Sequence, residues 1–354
     1  MKTKNLTVPV LLALVVAAFQ PAAQAGFKLG QLFEAKPIDL TAEPAPTAEK
    51  AVKCESMKKL KDVKKVLVAS FNVQFVTARK ANAHAGGSSD KGAAYVHADV
   101  TLKGLDDANF QAITEAAYTN FLGQLTAMGL EVMPYSEYTA LPEYEKMKSC
   151  FQASPLEDKA LFSGRPTRIF SPAGMPVVFY GDEETISGTA KMSSTLSMAG
   201  HAPQVLEPQI VKQTGVPIIR VFLLVDFCQI NTSGGMFSSS ASVKNKPQLM
   251  IGRESRAAIV FGGGFTGVQN VKLANYAYGN DNYINAFNDV TTTGQAVGDA
   301  AANVIGILGG TGDIHKTKSY EAEADPAAYQ AISVKYLGDV TRLWLDAVKT
   351  SEEK

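Results

Sequence analysis

Val66-Leu67-Val68-Ala69-Ser70-Phe71-Asn72-Val73-Gln74-Phe75-Val76 is the stretch on which the fold turns. β-Branched and aromatic residues dominate it, and from Phe71 the apolar side chains take every second position, as on a strand with one face against a core. Outward from it, Phe110, Ile113, Ala117, Phe121, Leu125 and Met128 recur at spacings of three and four within residues 107–128. That is the stripe of an amphipathic helix. Asp106 or Asp107 can accept from the free amides at its start, and Gly129 suits a left-handed turn past its end. Leu130-Glu131-Val132-Met133-Pro134 then returns as a short strand. Strand, crossover helix and strand form the unit of an α/β layer.

The same reading extends in both directions. A Gly/Ser loop at Ala85–Asp90 precedes a strand at Ala94–Leu102, and a short helix is expected near Pro142–Phe151 before a strand at Met175–Tyr180. Residues 181–215 have weak periodicity, and Val216–Ile230 carries the strongest strand signal of the chain. A second Gly/Ser loop, Ser233–Ser240, leads to strands at Gln248–Ile251, Arg256–Phe261 and Val268–Tyr278, the pattern of an antiparallel meander. Residues 326–349 close the chain as a helix, with Tyr329, Ile332, Tyr336, Leu337, Val340, Leu343, Leu345 and Val348 in its stripe and Pro326 in its first turn. The expectation is an α/β fold: a mixed sheet with flanking helices, antiparallel strands in the second half and a long C-terminal helix. Three segments follow: a signal peptide at 1–25, a flexible linker at 26–62 rich in Pro, Ala, Glu and Lys, and one α/β domain at 63–350 with Gly/Ser-rich inserted loops.

The 34 basic residues equal the 34 acidic ones in 354, with 46% hydrophobic residues. A nucleic-acid binder would show clustered excess Lys and Arg, and a disordered chain would be poorer in apolar residues. Lys2 and Lys4, the apolar run Val8–Phe19 and Ala23-Gln24-Ala25 before Gly26 have the layout of a cleaved secretory signal. The expected location is the periplasm or outer membrane. The first cysteine is Cys54, so lipidation of the mature N-terminus is not indicated. Export permits disulfides; Cys228 ends an apolar run that favours a buried thiol, and Cys54 with Cys150 is the candidate pair.

Motifs of catalytic kind do not assemble. Gly262-Gly263-Gly264-Phe265-Thr266-Gly267 fits G-x-G-x-x-G, but a strand-like stretch follows where a dinucleotide site needs a helix, so a glycine-rich hairpin is expected. Gly309-Gly310-Thr311-Gly312 lacks the Lys-Ser/Thr of a phosphate loop. His84, His97, His201 and His315 have no metal-ligand spacing, and no Gly-x-Ser-x-Gly elbow occurs. Asp182-Glu183-Glu184 and Asn280–Asp289 lack the ladder of a calcium loop and read as solvated turns. Neither a cofactor nor a metal is expected. Residues 291–312 carry one ionisable residue, Asp299; Gly294 and Gly298, with Ile305 and Leu308, are candidates for an oligomer or membrane contact.

An exported chain with the first strand Lys65-Val66-Leu67-Val68-Ala69-Ser70-Phe71, a long helix ending in Met128-Gly129, the strand Leu130–Pro134, the later long strand Val216–Ile230 and a closing helix resembles the curli-secretion-channel superfamily, which includes activators of peptidoglycan synthases. The resemblance implies an α/β domain that binds protein partners or assembles into rings without catalysis. The functional expectation is a non-enzymatic cell-envelope protein acting by partner binding or self-assembly, in secretion or surface-structure biogenesis. A periplasmic carrier of an apolar ligand such as a lipid, suggested by the Met-bearing segments around 190–230, is the alternative. A hydrolase built from distant residues such as His97, His201 and Ser70 is the third reading.

Overall fold

The computed structural model describes residues 35–86, 93–158, 165–180, 200–234, 240–263, 267–296, 299–300, 303 and 314–352. In chain order the elements are β1 (Ile38–Asp39), α1 (Ala48–Ala51), β2 (Val52–Cys54), β3 (Lys65–Val76), β4 (Ala78–Ala85), β5 (Ala94–Lys103), α2 (Asp107–Ala127) and β6 (Glu131–Val132). The short helices α3 (Tyr135–Thr139) and α4 (Pro142–Met147) lead to β7 (Leu156–Asp158), β8 (Thr167–Phe170) and α5 (Pro203–Thr214). Then come β9 (Ile218–Ser233), β10 (Ser242–Ile251), β11 (Arg256–Val260), β12 (Val268–Leu273) and β13 (Ala277–Tyr278). The last elements are β14 (Ile284–Asp289), β15 (Ile314–Ala324) and α6 (Pro326–Glu352).

β3 and β9 lie parallel at the centre of the large sheet, with Val73 opposite Leu223. β3 also runs parallel to β6, with α2 as the crossover, so the expected strand–helix–strand unit is present. β10 and β11 both run antiparallel to β9 along one edge, end to end, and β12 and β2 continue outward from β11. A second sheet of four strands has the order β14-β15-β5-β4. The α/β class, the mixed sheet and the long C-terminal helix are therefore as expected.

Phe71, Val73 and Phe75 point to one side of β3, and Ser70, Asn72 and Gln74 to the other. All six are buried. On the apolar side α2 brings Phe110, Ile113, Ala117, Phe121 and Leu125, and α6 brings Tyr329, Tyr336, Leu337, Val340 and Leu343, into one core. Each of these large side chains contributes about 1.5–3 kcal/mol by leaving water. Asp106 accepts from Asn109 N at 3.0 Å to cap α2, and Gly129 past its end has φ +84°. On the polar side α3, α4 and α5 cover part of the sheet through Tyr138, Tyr144, Met147, Leu206 and Ile210. There Asn72 Nδ2 donates to Val178 O at 2.8 Å and Gln74 Nε2 to Thr167 Oγ1 at 2.6 Å, which offsets the cost of burying the amides.

Three expectations need correction. The described part of the linker is structured: Ile38 pairs with Ala277, Val52 with Leu273, and Ile38, Ala51, Met57 and Leu60 are buried in the main core. Small runs of apolar residues sufficed because neighbouring strands supplied their partners. Met175–Tyr180 is not a strand; Val177 makes a single bridge to Gln152, and the Val178 carbonyl is taken by the Asn72 side chain. The meander is interrupted, since β10 and β11 share an edge of β9 rather than pairing together. The hairpin reading of the glycine run holds, because β11 and β12 pair antiparallel on either side of it, and Gly262 and Gly263 have positive φ. Residues 1–34, on which the expected signal peptide at 1–25 falls, lie outside the described residues.

Candidate functional site

Between β10 and β11 the chain leaves the edge of β9 and comes back. Ile251 pairs with Val225 and Arg256 with Phe222, so four residues, Gly252 to Ser255, stand opposite two, Leu223 and Leu224. The backbone is not orphaned. Gly252 N donates to Leu224 O at 2.8 Å, and Leu224 N donates to Ser255 Oγ at 2.9 Å. At Gly252 the chain passes close to its neighbours: a Cβ there would stand 2.6 Å from Leu224 Cδ2 and 2.7 Å from Glu254 Oε2, so those side chains would have to shift to admit one. A bulge of this kind re-aims side chains, and Arg253 and Glu254 are the pair it lifts out of the ladder.

On one side of the bulge is a cleft of about 270 Å³, walled by Leu224, Ile230 and Met250 and by the charged groups of Arg79, Asp226 and Arg253. Asp226 sits on β9 with 5% exposure, inside an otherwise apolar run. Arg79, at the start of β4 in the second sheet, donates from Nη1 to Asp226 Oδ2 at 2.6 Å and so ties the two sheets together. Burial pushes the Asp226 carboxyl up from its ordinary value, while the Arg79 guanidinium opposes the rise. Arg165 reaches Glu254 of the bulge at 3.9 Å, and Gln229 Nε2 donates to Tyr276 Oη at 3.2 Å across the floor. Both carboxylates of this cleft face an arginine, Arg253 adds a third cation, and the rest of the wall mixes apolar side chains with Gln229, Asn231 and Tyr276.

A second buried ion pair lies nearer α5. Glu207, fully buried on α5, accepts from Arg220 Nε on β9 at 2.5 Å and from Tyr180 Oη at 2.9 Å. The Arg220 guanidinium carbon stands 3.9 Å from the centre of the Tyr180 ring. Burial pushes the Glu207 carboxyl up, against the pull of Arg220, and pushes the Tyr138 and Tyr180 hydroxyls far up as well. The closed packing of this pair makes it a tie between helix and sheet rather than a place for substrate.

The residues singled out in the sequence fall elsewhere. Cys54, Cys150 and Cys228 are all free thiols, so the Cys54–Cys150 bridge is not formed. Cys54 lies on β2 beside the core that α6 covers, and Cys150 follows α4 on the opposite face of the sheet, its Sγ directed to His201 O at 3.6 Å. Of the hydrolase candidates, Ser70 is buried on β3, His97 is exposed on β5 with Asn82 Oδ1 at 2.7 Å from its Nδ1, and His201 precedes α5. They hold separate partners and do not form a constellation. His84 and His315 flank Tyr95 across three strands, with ring centres 4.8 Å apart on each side. Gly294 lies in a helical turn at 293–296, while Gly298, Ile305 and Leu308 are outside the described residues. The described part of 190–230 is packed, with Leu206, Ile210, Ile218 and Phe227 in the core.

Arg79, Asp226, Arg253 and Glu254 were not anticipated as site residues. The one signal present was Asp226, a charge in the middle of Val221–Cys228. Among the described residues no group of three His, Cys, Asp or Glu is placed to hold a metal ion. Comparison with known proteins returned no match to a family model, a curated protein or a solved structure.

Proposed function

We propose that this is a non-enzymatic, exported cell-envelope protein that acts by binding a partner or by assembly, and that the cleft beside the Gly252–Ser255 bulge is its contact site. The observation that carries the reading is how the cleft spends its charges. Asp226 is held by Arg79 and Glu254 faces Arg165, so neither carboxylate is poised as a free base, and the lining holds no Ser, Thr, Cys or His. Leu224, Ile230 and Met250 add apolar area beside these pairs, which is the composition of a recognition surface. The signal-like N-terminus supports export, and the resemblance of the sequence to the curli-secretion-channel superfamily supports a partner-binding role.

The test joins location to contact. Full-length protein expressed in a Gram-negative host should be recovered from the envelope fraction with its mature terminus at Gly26. A photo-crosslinking residue at Ile230 should give a discrete adduct, from a second copy or an envelope protein, that the same residue at exposed Lys349 does not give. Recovery from the cytoplasm with Met1 intact, or a strict monomer in mild detergent with no adduct from position 230, overturns the reading.

A further inference from the structure

The bulge has a second side. Across it from the cleft lies a hollow of about 240 Å³ lined by Lys53, Arg253, Arg256 and Lys272, with Glu254 as the one carboxylate in its wall. Three of these cations stand in a single cross-strand row: Lys53 is directly opposite Lys272, and Lys272 directly opposite Arg256. Like charges opposite one another on adjacent antiparallel strands repel, and sheets ordinarily avoid them. Here three strands repeat the arrangement, and the bulge turns Arg253 toward the same hollow. Lys53, Lys272 and Arg253 form no ion pair among the described residues, so the repulsion between the opposed Lys53 and Lys272 meets no counter-charge there. In a chain whose charges sum to zero, this is a local excess of positive charge over a concave surface, which focuses the field on an incoming anion.

The geometry points to a phosphate-binding site in this hollow, distinct from the partner cleft on the far side of the bulge and independent of that reading. We assign phosphate rather than carboxylate for a reason of valence. Four cations line the hollow against one carboxylate, and a phosphate, with up to two negative charges and three free oxygens, matches that excess where a carboxylate brings one charge and two oxygens. Arg253 can present a two-pronged donor, and Lys53 and Lys272 supply mobile point charges. A phosphate seated there neutralises the row and removes the repulsion between Lys53 on β2 and Lys272 on β12. Soluble phosphate esters and phospholipid headgroups share this chemistry.

Titration calorimetry of the mature chain with inorganic pyrophosphate, at low and moderate sodium chloride, reads the site directly. Binding should weaken roughly tenfold in Lys272→Gln and further in Lys53→Gln/Lys272→Gln, as expected for charge-assisted hydrogen bonds, and should weaken with salt. The variants should be at least as thermally stable as the parent without ligand, because they delete repulsion. Pyrophosphate should raise the parent's Tm more than theirs at matched ionic strength. Sedimentation with phosphatidylglycerol vesicles, against phosphatidylcholine vesicles, separates the sources: retention lost in the double variant assigns a lipid headgroup, and pyrophosphate binding without retention assigns a soluble ester. No heat and no Tm shift with pyrophosphate together with no vesicle retention, or binding unchanged in the double variant, overturns the assignment.

Discussion

Replacing Arg79 by Met tests how the cleft is held. Asp226 is almost fully buried and receives the Arg79 guanidinium at 2.6 Å. Met keeps much of the aliphatic stem and removes the charge. The carboxylate must then stay ionised without its partner or take a proton. Breaking a buried pair from one side costs about 3–5 kcal/mol. Protonation sets a ceiling on that loss. Keeping a carboxyl of ordinary value 3.8 neutral at pH 7 costs about 4.4 kcal/mol, at about 1.36 kcal/mol per pH unit, and at pH 5 it costs only about 1.6 kcal/mol. The sign follows from the raised value in the folded state: such a carboxyl favours folding below its unfolded value and opposes it increasingly as pH rises. Urea unfolding of Arg79→Met should therefore show a loss of about 3–4 kcal/mol at pH 7 that shrinks to no more than about 1.6 kcal/mol at pH 5, each relative to the parent at that pH. Arg79→Met/Asp226→Asn, which removes both charges, should regain most of the loss at pH 7. Equal losses at the two pH values, or a double variant no better than the single, would refute the reasoning.

Two further outcomes follow from the same structure. Cys228 is buried, with its thiol pushed up to about 12, and Cys150 is buried beside His201, while Cys54 is half-exposed. A thiol reagent at pH 8 should label Cys54 first and reach all three only after denaturation; a native mass short by the two hydrogens of a disulfide contradicts this. Deleting Arg253 and Glu254 together should leave a folded chain, because Gly252 then falls opposite Leu224 and Ser255 opposite Leu223, joining β10 to β11 as one strand along β9. Circular dichroism and Tm should be kept, while the adduct from position 230 and pyrophosphate binding both fall away; unfolding on deletion would mean that the bulge is needed for the fold.

Much of the fold was legible because its strongest elements are amphipathic in the ordinary way. Phe110 to Leu125 on α2 and Tyr329 to Val348 on α6 repeat at helical spacing; α2 buries its stripe against Phe71 and Phe75 of β3, and α6 packs against α2, β2, β10 and β12 in the same core. The elements that were missed depend on neighbours. β15, Ile314–Ala324, alternates polar and charged residues with few large apolar ones, and becomes a strand through its ladder to β5 along ten residues. β2 is three residues long and is held by β12. α5 contains Pro208 and Pro203 and has a weak apolar stripe, so its helical state rests on packing against Tyr144 and Met147. Ser70, Asn72 and Gln74 look like a solvent face, yet all three are buried against the segment that carries Thr167 and Val178.

The candidate site escaped the sequence for a reason of parity. Ile251 faces the main core and Arg256 faces away from it, five positions later, as an uninterrupted strand would also have them. An excess of one residue would have flipped every side chain beyond it and left a visible break in the hydrophobic alternation. An excess of two keeps the alternation intact on both sides, so β10 and β11 read as two ordinary strands around a polar turn. Only the register against β9, with four residues opposite Leu223 and Leu224, reveals that they lie in one line. The same arithmetic explains why Arg253 and Glu254 are free to serve two hollows. They carry no share of the ladder, since Gly252 N and Ser255 Oγ satisfy Leu224, and so their side chains can be set by recognition rather than by packing. A fold can acquire such a site without renegotiating its core, provided that the insertion comes in twos.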